Sequence, residues 1–353
     1  MGLNLMPIVS ADRLRTLGAD IFKAAGAPVG EAQVVANLLV EANLTGHDSH
    51  GVIRMPNYVK GIKMGAVKPG AKIAVVRETP STALIDGGWG FGQVVCIKAM
   101  EIAIGKAEKC SVSVVSVKHC HHVGRLNTYS EMALKKDMIG VTMVNSSSDV
   151  APYGGMTRQL GTNPMCFAVP SGKEAPFVLD MATAVWAHGK IMVRAARGEK
   201  LPEGVLLDLE GTPTTGAAWF EKGGAILPIG GLVGYKGYGL SLLVELLTGA
   251  LSGAGCSSSE EYRSRPFYGG NGVYMMVINI GSFTDINAFK ERADNLFRAV
   301  KYSPLAKGSE EILIPGEVER RRREKNLREG IYIEESTWNQ LQDVAKELGV
   351  NRA

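Results

Sequence analysis

Two apolar series at helical spacing open the chain. Ser10, a residue type that caps helices, precedes Leu14, Leu17, Ile21 and Phe22, which share one face of an α-helix. Within Glu31–Leu44 the pattern recurs at Val34, Val35, Leu38 and Leu39, so residues 10–45 predict two helices. Residues 72–86 predict two short strands around a turn at Thr79-Pro80. Gly92–Lys109 follows as a helix, with Val95, Ala99, Ile102 and Ala103 at helical steps. The β-branched run Val112–Val117 predicts a strand, Tyr129–Lys136 a helix and Ile139–Val144 a strand. Further strands are expected at Met165–Val169 and Phe177–Leu179, then a helix over Ala184–Ala196. The Gly/Pro/Thr-rich stretch 198–217 reads as a long surface loop. A helix at Leu240–Leu251, a strand at Val273–Ile280, and helices at Ile286–Val300 and Thr337–Leu348 complete the pattern.

Helices first, then mixed strands and helices, predict an α+β or irregular α/β fold. The expected division is a helical part from 1–70, packing with 305–353, and a mixed α/β part from 71–304. A Rossmann dinucleotide fold is not indicated: the glycines at 87, 88, 90 and 92 are wrongly spaced for GxGxxG, and no acid follows at the end of a second strand.

Composition narrows the classes. With 45% hydrophobic and 21% charged residues, the chain is ordinary for a globular protein and too apolar for disorder. A net charge of +4 is too small to argue for nucleic acid. The apolar stretch Gly237–Gly255 carries Glu245 near its centre, which favours a buried helix over a membrane span. Five scattered cysteines without a CxxC pair fit reduced, mostly buried thiols, and with no signal peptide they indicate a cytoplasmic protein.

Six segments could carry chemistry. His47-Asp48-Ser49-His50 precedes Arg54 and Tyr58; on one helix, His50, Arg54 and Tyr58 would share a face, although Pro56 argues against an undisturbed helix. Arg can grip a carboxylate by two hydrogen bonds, and His can carry a proton near neutral pH. Capped helix starts with surface polar groups are the structural alternative. His119, His121 and His122 follow the Val112–Val117 strand, where open α/β proteins place ligands. They suggest a proton carrier or, as an alternative, a histidine-rich metal site. Ser146 lies at the end of another strand, in a run that could hold a carboxylate or be an ordinary turn. Gly161, Thr162 and Asn163, then Asp180, Met181 and Ala182, border strands; Asp180 could cap the helix that follows. Lys236 and Gly237 lie in a glycine-rich loop ahead of a helix, an anion-binding arrangement or a tight loop entry. Gly316 and Glu317 form a turn before Arg320–Arg323, itself read as a solvated helix face.

In this order, DSHGVIRMPNYV, HHVGRLNTYSEMA, GTNPMCFAVP, VLDMATA, GYKGYGLSLLVELLTGALSG and IPGE resemble the malate/L-lactate dehydrogenase family over about residues 48–317. The resemblance implies a homodimer with a non-Rossmann nicotinamide-binding sheet domain. Its activity would be hydride transfer between NAD, or NADP, and a small 2-hydroxy or 2-keto acid of malate, lactate or sulfolactate type. It implies catalytic roles for His122 and His50 and substrate contacts for Arg54, Tyr58 and Ser146. The cofactor-binding segments would be Gly161–Asn163, Asp180–Ala182, Lys236–Gly237 and Gly316–Glu317. Imine-reducing relatives leave a cyclic imino acid as the alternative substrate. The sequence departs from the family's usual NHFG at His121-His122-Val123-Gly124, followed by Arg125, a cation that would favour a second anionic group on the substrate.

Overall fold

The computed structural model describes residues 7–264 and 270–350. Ser10 Oγ accepts from Arg13 N at 3.3 Å and starts the helix Ala11–Ala24. Its apolar face packs on the second helix, Val29–Leu44. These helices bury one apolar cluster with Met55–Lys63 and the C-terminal helix Glu335–Glu347. An antiparallel pairing of Ile8–Val9 with Ile331–Tyr332 ties the two ends of the chain together. Apolar burial of this kind stabilises by roughly 25 cal/mol per Å² removed from water.

Seven strands form a mixed sheet in the order Ala74–Glu78, Thr82–Gly90, Val112–Cys120, Asn271–Asn279, Met138–Val144, Met165–Val169, Phe177–Met181. Thr82–Gly90 and Val112–Cys120 run parallel, and the other five neighbouring pairs are antiparallel. Helices Gly92–Cys110 and Asn127–Leu134 cover one face and bury Ile85, Val115, Val117 and Met275. Val244, from the helix Tyr235–Glu245, packs with Val141, Met143 and Met165.

Three expectations are corrected. Residues 198–217 are not a plain surface loop. Leu206–Leu207 and Pro213–Thr214 join Ala225–Ile226 in a small sheet, and Leu201, Val205, Leu206 and Leu207 are buried. Short strands among Gly and Pro offer too few residues for periodicity to reveal. The helix expected from Leu240 begins at Tyr235, so Lys236 and Gly237 belong to its first turn rather than to a loop; Gly237 lies against the Ile229 backbone, where a side chain has no room. The Arg320–Arg323 face is not simply solvated. Arg320 donates to Pro176 O, Arg321 pairs with Glu311, and Arg323 bonds Glu41 at 2.9 Å. No helix among the described residues is long and apolar enough to cross a membrane. Within Gly237–Gly255 the buried Glu245 carboxylate accepts from Asn163 Nδ2 at 2.8 Å and Ser257 N at 2.9 Å.

Candidate active site

Two short 3₁₀ turns, Asp48–His50 and Val52–Arg54, lead into the helix Met55–Lys63. Pro56 stands in that helix's first turn, where a missing N–H costs nothing, so it leaves the helix undisturbed. His50 lies in the separate turn before it. Asn43, 4% exposed, fastens the segment by accepting from Val52 N at 2.8 Å and donating to Asp48 Oδ1 at 2.7 Å. Nothing in the pattern of the second helix singled Asn43 out except a polar residue among apolar ones.

From the other side comes the Val112–Cys120 strand, longer than expected by three residues. His119, its penultimate residue, takes φ 51°, a conformation few non-glycine residues take, while its Nδ1 bonds Asp86 Oδ2 at 2.9 Å. The chain then turns His121 and His122 toward the helical cluster. Gly92 opens the next helix directly against them: a Cβ there would stand 2.2 Å from His121 O and 2.5 Å from His122 O.

Here the two segments meet. Tyr58, 2% exposed, places its hydroxyl 2.7 Å from His122 Nδ1, and Gln93 Nε2 donates to the same oxygen at 2.9 Å. The rings of His50 and His122 stack at 5.6 Å. Ser49 Oγ lies 3.0 Å from His50 Nδ1, and Arg54 Nε donates to Ser49 O at 2.6 Å. Arg54's two terminal nitrogens make no hydrogen bond among the described residues, which leaves a planar fork suited to a carboxylate. Tyr58 therefore sits behind His122. Gln93 escaped the sequence reading because a lone glutamine at a helix start carries no motif.

Electrostatics favour neutral rings. Burial pushes His50 down to about 3 and His122 well below the ordinary imidazole value, and the Arg54 cation pushes both the same way. Burial alone holds His121 at about 4, and burial, opposed by the Gln93 hydrogen bond and the Arg54 cation, raises the Tyr58 phenol to about 12. The three histidines of the KHCHH run do not converge. His119 bonds Asp86, His121 packs edge-on to Tyr58, and His122 bonds its hydroxyl. Among the described residues no three His, Cys, Asp or Glu side chains are grouped to hold a metal ion.

A groove of about 570 Å³ is lined among others by His47, Arg125, Asp180, Gly316 and Arg320, and Arg125 also lines the small void beside His50 and Gln93. Its size suits an extended small molecule. Gly316 takes φ 98°, and a side chain there would press on Val178. Arg320 spends Nη1 on Pro176 O at 2.9 Å, while its Nη2 is buried without a partner among the described residues, a donor aimed at no protein acceptor. Charged groups set in largely apolar walls, a close-approach glycine and an unpaired guanidinium nitrogen fit a phosphate-bearing dinucleotide. Asp180 accepts from Leu126 N at 3.1 Å and Asn127 N at 2.9 Å. It thus caps the helix Asn127–Leu134, not the helix after it as expected. Arg125 donates to Thr45 Oγ1 and Asn127 Oδ1 and lines both the groove and a small void beside His50.

The other residues expected to contact substrate or cofactor stand outside this groove. Ser146 Oγ meets Thr162 Oγ1 at 3.1 Å, and Asn163 joins Ser146 N, Ser241 and Glu245 in a buried network. Glu317 bonds Lys301 at 2.5 Å and Ile314 N at 2.9 Å. Met181 packs beneath the sheet, Ala182 beside the small sheet, and Lys236 is exposed over the Tyr235 ring. Neither these residues nor Gly161 and Gly237 line the groove.

A sequence profile described as malate/L-lactate dehydrogenase matches residues 9–342. The chain is 40% identical over 351 residues to L-sulfolactate dehydrogenase of Methanocaldococcus jannaschii, covering 98% of each chain. It is 41% identical over 348 residues to malate dehydrogenase of Pyrococcus horikoshii, covering 97% of this chain and 96% of that protein. A solved structure of the M. jannaschii sulfolactate dehydrogenase matches with a TM-score of 0.90 over 98% of both chains, at 40% identity.

Proposed function

This chain belongs to the malate/L-lactate dehydrogenase family, whose members named above are hydroxy-acid dehydrogenases, and we propose that it transfers a hydride between a nicotinamide cofactor and a small 2-hydroxy or 2-keto acid. The observation that carries the reading is His122, held by Tyr58, close enough to the Arg54 cation to feel its charge, while the terminal nitrogens of Arg54 make no hydrogen bond among the described residues. Arg54 grips the carboxylate. His122 presents its Nε2 to the carbon-bound oxygen, donating to a keto acid or accepting from a hydroxyl, with His50 stacked against it. Depressed basicity keeps both rings neutral until the substrate carboxylate offsets Arg54. When bound, a nicotinamide supplies or receives the hydride. Asp180, Gly316 and Arg320 would hold the cofactor; NAD is favoured, with NADP as the alternative. A mixed sheet with one parallel pairing supports a non-Rossmann nicotinamide domain (71–304), set against a helical one (1–70 with 305–353). Arg125, facing the void beside His50, supports a substrate with a second anionic group, of malate or sulfolactate type.

The exposed apolar side chains of Leu232, Val233, Tyr235, Leu243 and Leu246 support a homodimer, since a strip of this kind on an isolated chain would invite association. Five unpaired cysteines fit a cytoplasmic location.

Absorbance at the nicotinamide band, with NADH and NADPH against pyruvate, oxaloacetate, sulfopyruvate and a cyclic imino acid, tests the reading. We expect a dianionic keto acid to be reduced fastest. Turnover of the cyclic imine alone, or of none of these, would overturn it.

A further inference from the structure

We propose that Gln93 is a positioning residue whose amide orientation decides, through the Tyr58 hydroxyl, which nitrogen of His122 carries the proton. The inference rests on the hydroxy-acid reading above and deepens it. One imidazole must face two oxygens of opposite character: a keto acid offers an acceptor, a hydroxy acid a donor. Nε2 serves the first when protonated and the second when bare. A neutral imidazole has one ring proton, so the state of Nε2 is the inverse of the state of Nδ1.

Nδ1 faces the Tyr58 oxygen at 2.7 Å, and that oxygen faces the Gln93 amide at 2.9 Å. Two arrangements satisfy both short contacts of this row; the hydroxyl's other neighbour, His122 O, lies farther off at 3.4 Å. In the first, Gln93 Nε2 donates to Tyr58 Oη and Tyr58 donates to His122 Nδ1; Nε2 then carries the proton and fits a keto acid. In the second, the amide is reversed, Tyr58 donates to Gln93 Oε1, and His122 Nδ1 donates to Tyr58 Oη; Nε2 is bare and fits a hydroxy acid. The two ends of an amide are nearly equal in size, so reversal needs no repacking. In the arrangement with Nε2 donating, Gln93 Oε1 is buried without a protein partner among the described residues, so nothing pins the amide one way. The void of about 10 Å³ that Gln93 shares with His50 and Arg125 has room for roughly one water, which can pair with either amide end. Gln93 itself is 1% exposed, so bulk water does not intervene.

Opposite substitutions separate this role from a structural one. Gln93→Glu only accepts, so it holds the second arrangement. Gln93→Met takes away the amide acceptor and leaves Tyr58 only the long 3.4 Å contact to His122 O, so it disfavours that arrangement. With NADH bound, the dissociation constants of L-malate and of oxamate, a keto-acid mimic, are measured for each variant. We expect Gln93→Glu to weaken oxamate relative to L-malate by about tenfold, and Gln93→Met to weaken L-malate relative to oxamate by about tenfold. In the wild type, ¹⁵N spectra of labelled histidine should place the His122 proton on Nδ1 with L-malate and on Nε2 with oxamate. Shifts of the same sign in both variants, or one tautomer in both wild-type complexes, overturn the proposal. That result in an enzyme that still reduces keto acids leaves the functional reading standing. Binding of neither ligand by an enzyme inactive on every keto acid overturns both.

Discussion

A neutral imidazole in a folded protein records the cost of burying its charged form. His121 is 4% exposed and held at about 4, below the ordinary 6.5. Between those values the unfolded chain binds a proton that the folded chain refuses. Stability therefore falls as pH drops through 6.5, by up to about 1.4 kcal/mol per pH unit from this side chain, and the loss levels off below the folded value. His47 and His50, held at about 4 and about 3, act in the same direction. Asp180 opposes them: burial raises it to about 6, so the folded state takes up its proton first as pH falls. His122, also lowered by burial, joins these histidines, and Asp48, also raised by burial, joins Asp180; four histidines outweigh two carboxyls. The urea midpoint should be lower at pH 5 than at pH 7, and His121→Phe should flatten the dependence. Equal midpoints at both values would contradict neutral buried rings.

Among the elements, the helix Asn127–Leu134 depends on a residue 53 positions downstream. Asp180 caps it from the neighbouring strand end and also lines the groove. Asp180→Ala should cost about 0.5–2 kcal/mol of stability by leaving two backbone N–H groups unpaired, and should weaken cofactor binding. Denaturation with and without cofactor measures both, and an unchanged midpoint would remove the cap. The carboxylate was legible as a cap, but its helix was not. Sequence proximity pointed forward, whereas the sheet brings Phe177–Met181 beside the earlier helix. Long elements such as Ala11–Ala24 and Gly92–Cys110 were legible because they repeat an apolar period. The two-residue strands at Leu206 and Pro213 show no period, and the glycine-rich opening of Tyr235–Glu245 hid its first turn. Composition says nothing of Gln93, whose importance comes only from the phenol above it.

Across the whole molecule, the site is a meeting of distant segments. The segment 48–63 contributes His50, Arg54 and Tyr58, the turn after the strand Val112–Cys120 contributes His122, and Gly92 lets the helix Gly92–Cys110 start against that turn's backbone. Residue types and motif order indicated both histidines, yet which atoms meet was set by tertiary packing. Tyr58, expected to contact the substrate, bonds His122 Nδ1 through its hydroxyl. The direct measurement is keto-acid reduction by wild type and His122→Ala, alongside cofactor affinity read from protein fluorescence. Loss of general acid–base help should lower turnover about 100- to 10,000-fold while cofactor affinity stays within about twofold. Turnover near wild type in that variant would contradict the account.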